Sequence, residues 1–346
     1  MSWLPDRARM ATWNWAIRKK KITMAHQENI TPGGNKPNQD VFSETLQRLA
    51  ETDRSILVVT SDSRGSGKLV PFGKKFPKQI VEVGIAEQNL VGVAAGLGSC
   101  DKKVFAVSPA CFLTTRALEQ IKNDICYSDH PVTVVGISAG VSYGALGSTH
   151  HSLHDFAALR TINNIIVVAP ADNFETEQAT KLAAESQIPV YLRFGKKVMP
   201  SLEKEIGEKF EFGRGRVILN GTDIALIANG ETVYPALQAA HALQEKGIQA
   251  AVISMHTIKP LDTALLANLA ETCGAIITVE EHSVNGGLGE ACASWLLQHG
   301  YRKPFKILGI PDEYTVTGSQ VEIFRHYGIT GEGIAREAMK LLPVLV

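Results

Sequence analysis

Val81–Gly98 reads VEVGIAEQNLVGVAAGLG. An apolar strand ends at Val83, Gly84 turns the chain, and a helix is predicted to start near Ala86. Glu87 then falls in the first helical turn, where the aligned amide dipoles favour a carboxylate. The small residues Gly92, Ala94, Ala95, Gly96 and Gly98 predict that this helix lies close to a neighbouring backbone. Acids are enriched in first helical turns for stability alone, so the residues by themselves leave Glu87 open to a purely capping role.

On either side of this stretch, strands of four to seven apolar residues alternate with helical patterns. Helical spacing covers Asp40–Glu51, with Val41, Phe42, Leu46 and Leu49 on one face. Strands are expected at Ser55–Thr60, Ile80–Val83, Lys103–Val107, Val132–Ser138, Ile165–Ala169 and Val190–Phe194. Helices are expected at Ala86–Gly98, Thr114–Tyr127, Asp155–Arg160 and Asn173–Ser186. Such alternation means an α/β unit with a largely parallel sheet. A charged stretch follows, and then a second α/β unit. Its strands are expected at Ile224–Ala228, Ala250–Ser254, Ala275–Val279 and Phe305–Gly309. The predicted organisation is an N-terminal extension (1–37), a first α/β domain (38–198), a linker (199–220) and a second α/β domain (221–346).

The 346 residues are too many for one ordinary domain and suit two. Apolar content is 45 % and charged content 20 %, with a net charge of zero. That composition supports a sizeable core and offers no electrostatic case for nucleic acid or an anionic membrane. The five cysteines are scattered and form no C-x-x-C. This pattern predicts reduced thiols in the cytoplasm, not a disulfide framework or a zinc site. No apolar run is long enough to span a bilayer.

Four further stretches carry candidate chemistry. Thr60–Gly67 (TSDSRGSG) follows a strand, and ligands of open α/β sheets bind at the carboxyl ends of strands. Asp62 and Ser66 lie there, in a turn rich in residues able to form an anion nest, though such residues also make plain polar turns. Phe112 lies in SPACFLTTRALEQIKND (Ser108–Asp124) and can stack on a flat heteroaromatic ring or simply fill the core. SYGALGSTHHSLHDFAALR (Ser142–Arg160) places His150, His151 and His154 within five residues. No cysteine or H-E-x-x-H pattern accompanies them, which argues against a metal site. Arg193 in VYLRFG (Val190–Gly195) ends a strand, where a guanidinium grips anions through paired donors or forms an ordinary ion pair.

Together these stretches resemble the transketolase group of thiamine-diphosphate enzymes over residues 39–342. GIAEQN with its small-residue helix is similar to the pyrimidine-binding domain, and VEEHSVNGGLGE (Val279–Glu290) to the group's C-terminal domain. The resemblance implies that Glu87 contacts the cofactor's aminopyrimidine and stabilises the tautomer that takes the thiazolium proton. It implies that Phe112 stacks on that ring and that Asp62 lies near the cofactor. It also implies that His150 faces the substrate, and that Ser66 and Arg193 bind the sugar's anionic end. No catalysis is implied for Glu281 or His282.

The G-D-G…N segment that holds magnesium and diphosphate in this family is absent from the sequence. The resemblance therefore implies the C-terminal subunit of a split transketolase. Its partner would be an N-terminal diphosphate-binding subunit, and the assembly a heterotetramer built on a homodimer of this chain. The cofactors implied are thiamine diphosphate and Mg2+, held mainly by the partner. Three departures bear on the sugar: Leu146 replaces an expected aspartate, Ser138 an expected histidine, and Gln39 stands near an expected arginine. They predict a substrate other than the ordinary pentose-phosphate pair. The rival readings are a 2-oxo-acid dehydrogenase β-type subunit, half of a deoxyxylulose-phosphate synthase, and a non-catalytic scaffold subunit.

Overall fold

The computed structural model describes residues 36–202 and 209–342. Most of the extension assigned to residues 1–37 thus lies outside the described residues. Two sheets organise the rest. The strands are β1 (Ile56–Thr60), β2 (Ile80–Glu82), β3 (Lys103–Pro109), β4 (Thr133–Ile137), β5 (Ile166–Val168), β6 (Val190–Arg193), β7 (Arg216–Leu219), β8 (Ile224–Ala228), β9 (Ala250–Ser254), β10 (Thr257–Lys259), β11 (Ala275–Ser283) and β12 (Phe305–Ile310).

The first sheet has seven strands in the order β10-β5-β6-β4-β3-β1-β2, and the second has five in the order β12-β11-β8-β9-β7. Pairing is parallel except at two edges, where β10 runs antiparallel to β5 and β7 antiparallel to β9. These strands read as near-continuous apolar runs because helices cover both faces of a parallel sheet. One face of the first sheet packs Leu90, Leu113, Ile121 and Phe156; the other packs Phe42, Phe72, Phe105 and Phe194. Each such side chain contributes about 1.5–3 kcal/mol by leaving water.

Two α/β domains with mostly parallel sheets are therefore present, with two additions. Residues 216–219, assigned from the sequence to a linker, form edge strand β7. Strand β10 comes from the second half of the chain yet completes the first sheet, through the pairs Thr257↔Val168 and Lys259↔Val167. The Thr257–Lys259 segment, with a Thr and a Lys around one apolar residue, shows no apolar run to mark it as a strand.

The helix Glu87–Gly98 begins where expected. Its glycines behave differently from expectation. A Cβ on Gly98 would sit 2.9 Å from Val132 Cγ2, whereas Gly92 and Gly96 face open space. The long helix expected over Thr114–Tyr127 is instead broken into Ala110–Arg116, Leu118–Gln120 and a wider-wound turn at Ile121–Tyr127. Phe112 thus sits inside a helix, not before one. The helix Gln320–Tyr327 was not anticipated, although Ser319 and Glu322 form a capping box at its start, which is a legible signal. Among the described residues, no helix is long and apolar enough to cross a membrane.

Candidate active site

Gly84 has φ +73°, a left-handed turn that only glycine adopts without strain. It delivers Glu87 into the first turn of its helix, and the side chain is 4 % exposed. The carboxylate is not a cap, since no side-chain cap bond starts this helix. It receives Arg116 Nη1 at 3.0 Å on each oxygen. Ile85, Ala86, Glu87, Gln88, Asn89 and Arg116 line an open pocket of about 620 Å3.

Arg116 and Phe112 are four residues apart on one helix and so share a face. The guanidinium carbon lies 4.3 Å from the Phe112 ring centroid, a cation–π contact. The His150 ring meets Phe112 edge-on at 5.3 Å and Tyr143 edge-on at 5.5 Å. Lys196 Nζ lies 4.8 Å from the Tyr143 ring. Burial pushes the Tyr143 phenol up, against a hydrogen bond with Ser138. Glu87, Arg116, Phe112, His150, Tyr143 and Lys196 therefore form one continuous row.

Asp62 is exposed at the carboxyl end of β1, with φ +49°. Its backbone N–H donates to Glu82 Oε1 at 2.7 Å, and the same oxygen accepts from Gly84 N–H at 3.1 Å. The Asp62 turn is thereby tied to the turn that presents Glu87. Ser66 is half-buried, and its hydroxyl donates to the Ser63 carbonyl at 3.2 Å. With its amide oriented to satisfy both neighbours, Gln39 donates to the Ser66 carbonyl at 3.0 Å and accepts from Ser138 N–H at 2.8 Å. The structure thus brings Gln39, Ser66 and Ser138 together. Leu146 is 54 % exposed.

Arg193 departs from expectation. It is buried, and its guanidinium is already used. Nε donates to Asp155 Oδ2 at 2.8 Å, while Nη2 donates to the carbonyls of Ser152 at 3.2 Å and Glu281 at 2.8 Å. Tyr191 Oη donates to the same Asp155 oxygen at 2.7 Å. Burial alone would raise the Asp155 carboxyl, but the charges of Arg193 and His282 outweigh it and hold it low. Arg193 is a seam residue between the two sheets and does not present its donors to an open cleft. Asp155, at the start of its helix, belongs to the same seam.

The three histidines diverge. His150 Nδ1 lies 2.9 Å from Thr149 Oγ1, and His151 is held between Thr315 and the Gly144 carbonyl. Among the described residues, no group of three or more His, Cys, Asp or Glu is placed to hold a metal ion. Arg116, Tyr143 and Lys196 join the site without having been singled out by any motif. Only the four-residue spacing of Phe112 and Arg116 signals one of them.

Known proteins match both halves of the chain. The profile of the transketolase pyrimidine-binding domain matches residues 36–201, and that of the transketolase C-terminal domain matches 213–334. The chain belongs to the transketolase family. It is 48 % identical to an apulose-4-phosphate transketolase subunit of Phocaeicola vulgatus, over 87 % of this chain and 96 % of that protein. It is 37 % identical to 1-deoxy-D-xylulose-5-phosphate synthase of Heliobacterium modesticaldum, over 87 % of this chain but only 46 % of that protein. A solved split-gene transketolase, described as an inactive β4 tetramer, superposes with a TM-score of 0.80 at 36 % identity. That match covers 89 % of this chain and 98 % of the other. The layout is that of a split transketolase's second subunit.

Proposed function

We propose that this chain carries the pyrimidine half of a split transketolase active site, and that it moves a two-carbon ketol unit from a ketose to an aldose. The observation that carries this reading is the row in which buried Glu87 and Phe112 are bridged by Arg116, with the His150 ring edge-on to Phe112. A buried carboxylate beside an aromatic ring suits an aminopyrimidine, which offers a ring nitrogen at its edge and a π-face for stacking once the Arg116 side chain gives way.

Thiamine diphosphate, when bound, supplies the nucleophilic carbon that adds to the ketose carbonyl. Glu87 holds and exchanges a proton at the ring nitrogen. Phe112 stacks, and Asp62 orders the turn beside the ring. His150 donates to or accepts from sugar oxygens. Ser66, with Gln39 and Ser138, shapes the sugar end. With Arg193 committed to the seam, the anionic terminus falls to Lys196, the exposed cation at the end of the row. The diphosphate and Mg2+ fall to an N-terminal partner subunit, because the G-D-G…N segment that holds them in this family does not occur in this sequence. The expected assembly is a heterotetramer of two chains of each kind, in the cytoplasm. The names of the relatives bring a further element: the donor is a phosphorylated ketose of the apulose 4-phosphate type, not xylulose 5-phosphate.

The test is reconstitution with the N-terminal subunit, thiamine diphosphate and magnesium. Ketol transfer must require both chains; transfer by this chain alone refutes the split reading. The similarity to deoxyxylulose-phosphate synthases supports a second reading, which pyruvate consumption in the same assay would reveal. Acyl transfer to lipoamide without sugar cleavage would instead mark a dehydrogenase-type subunit.

A further inference from the structure

The loop that carries His150 is held from the other domain. Ser148 Oγ lies 2.9 Å from Thr315 Oγ1, and Thr315 N–H donates to Ser148 Oγ at 2.9 Å. His151 Nδ1 lies 2.6 Å from Thr315 Oγ1, and its Nε2 lies 3.0 Å from the Gly144 carbonyl. Every proton in this circuit follows from what each group can do. A carbonyl only accepts, so His151 Nε2 carries a hydrogen. Burial lowers the tendency of this ring to take a second proton, so Nδ1 is an acceptor. The Thr315 hydroxyl must then donate to Nδ1, and the Ser148 hydroxyl to Thr315 Oγ1. Ser148 in turn accepts from the Thr315 amide, which closes the circuit.

The backbone is seated on the same segment. A Cβ on Gly144 would lie 2.6 Å from the Gly318 carbonyl oxygen, and one on Gly147 would lie 2.9 Å from Thr317 Cγ2. Both glycines also have positive φ, +50° and +74°. His150 leaves this braced loop with its own N–H on the Gly147 carbonyl at 2.9 Å. Its ring is thereby set against Phe112 and Tyr143.

We infer that Thr315, in the C-terminal domain, is a positioning residue: through Ser148 and His151 it fixes the loop that aims His150 at the substrate. This rests on the reading of His150 given above. It assigns the second domain a part in sugar recognition, although no catalytic group comes from it.

Two measurements test it. In the full chain by itself, amide hydrogen exchange of peptides spanning residues 144–152 reports the brace directly. Thr315→Val keeps the shape and removes the hydroxyl. It should speed exchange there at least about tenfold, as expected for losing the two buried hydrogen bonds made by that hydroxyl, with the melting temperature lowered by only a few degrees. Thr315→Ser should restore protection. Ser148→Ala, which removes one arm of the circuit, supplies the same readout if Thr315→Val does not fold. In the reconstituted complex, Thr315→Val should raise the sugar KM about tenfold with a smaller fall in kcat. Exchange of the thiazolium proton, which depends on Glu87, should stay at the wild-type rate. Unchanged loop exchange, or failure of Thr315→Ser to restore it, overturns the inference. A wild-type complex without ketol transfer overturns the proposed function instead, while the loop measurement still decides the brace.

Discussion

Arg116 sets one guanidinium nitrogen 3.0 Å from both carboxylate oxygens of Glu87 and its guanidinium carbon 4.3 Å from the Phe112 ring. On the reading proposed above, the cation occupies the place of a pyrimidine bonded to Glu87 and stacked on Phe112. Binding such a ring requires the half-exposed Arg116 to move, and the ring must then satisfy the buried Glu87 carboxyl in its place.

Glu87→Gln tests the proton role. The amide keeps the shape and cannot exchange the proton. In the reconstituted complex, the thiazolium carbon should exchange hydrogen for deuterium at least about 100-fold more slowly, the usual scale of a general acid–base contribution. The fold should be intact by circular dichroism. Wild-type exchange in the variant would remove Glu87 from the mechanism.

Arg193→Gln separates a seam residue from an anion grip. Its removal leaves Asp155 buried with an uncompensated charge, at a cost of about 3–5 kcal/mol. Urea unfolding should show that loss. If stability were kept and only the sugar KM rose, the seam assignment would be wrong.

Lys196→Ala should raise the KM for a phosphorylated ketose severalfold, and most at low ionic strength, where an exposed ammonium acts least screened. It should leave stability within about 0.5 kcal/mol, as for most surface substitutions. In the same assay, a panel of ketoses including apulose 4-phosphate should outperform xylulose 5-phosphate. The ordinary pentose pair giving the highest kcat/KM would show that Leu146, Ser138 and Gln39 carry no substrate information.

Stability should fall as pH rises from about 6.5 to about 8. Burial pushes the Glu281 carboxyl up to about 8 and Glu280 up to about 7. Glu231, which shares Gln320 with Glu281 at 2.6 Å each, is also raised. These acids hold protons in the folded chain that the unfolded chain has released above its ordinary value of 4.5. Their contribution is whole below that value and is lost as pH passes the folded values. His282, lowered to about 4 by burial, opposes this only below its ordinary 6.5. The slope should approach roughly 1 kcal/mol per pH unit in urea unfolding. Glu281→Gln should flatten it; an unchanged slope would place the titration elsewhere.

The features legible in the chain are local ones. The alternation of apolar strands and helices, the left-handed Gly84 before Glu87, and the caps of later helices are all written within a few residues. They sufficed for two α/β domains and for placing Glu87 at the start of its helix. Which distant groups meet was settled only by folding. Arg193 looks the same in sequence whether it grips a phosphate or a buried acid. Asp155 lies 38 positions away and the Glu281 carbonyl 88, and burial between the sheets turned it inward. Strand β10 lacks an apolar run to announce itself, and it joins the first sheet only because the second half of the chain folds back beside β5. The bridge from Thr315 to Ser148 spans 167 positions. No local pattern records such a pair, because its free energy comes from surfaces that exist only once both domains have folded.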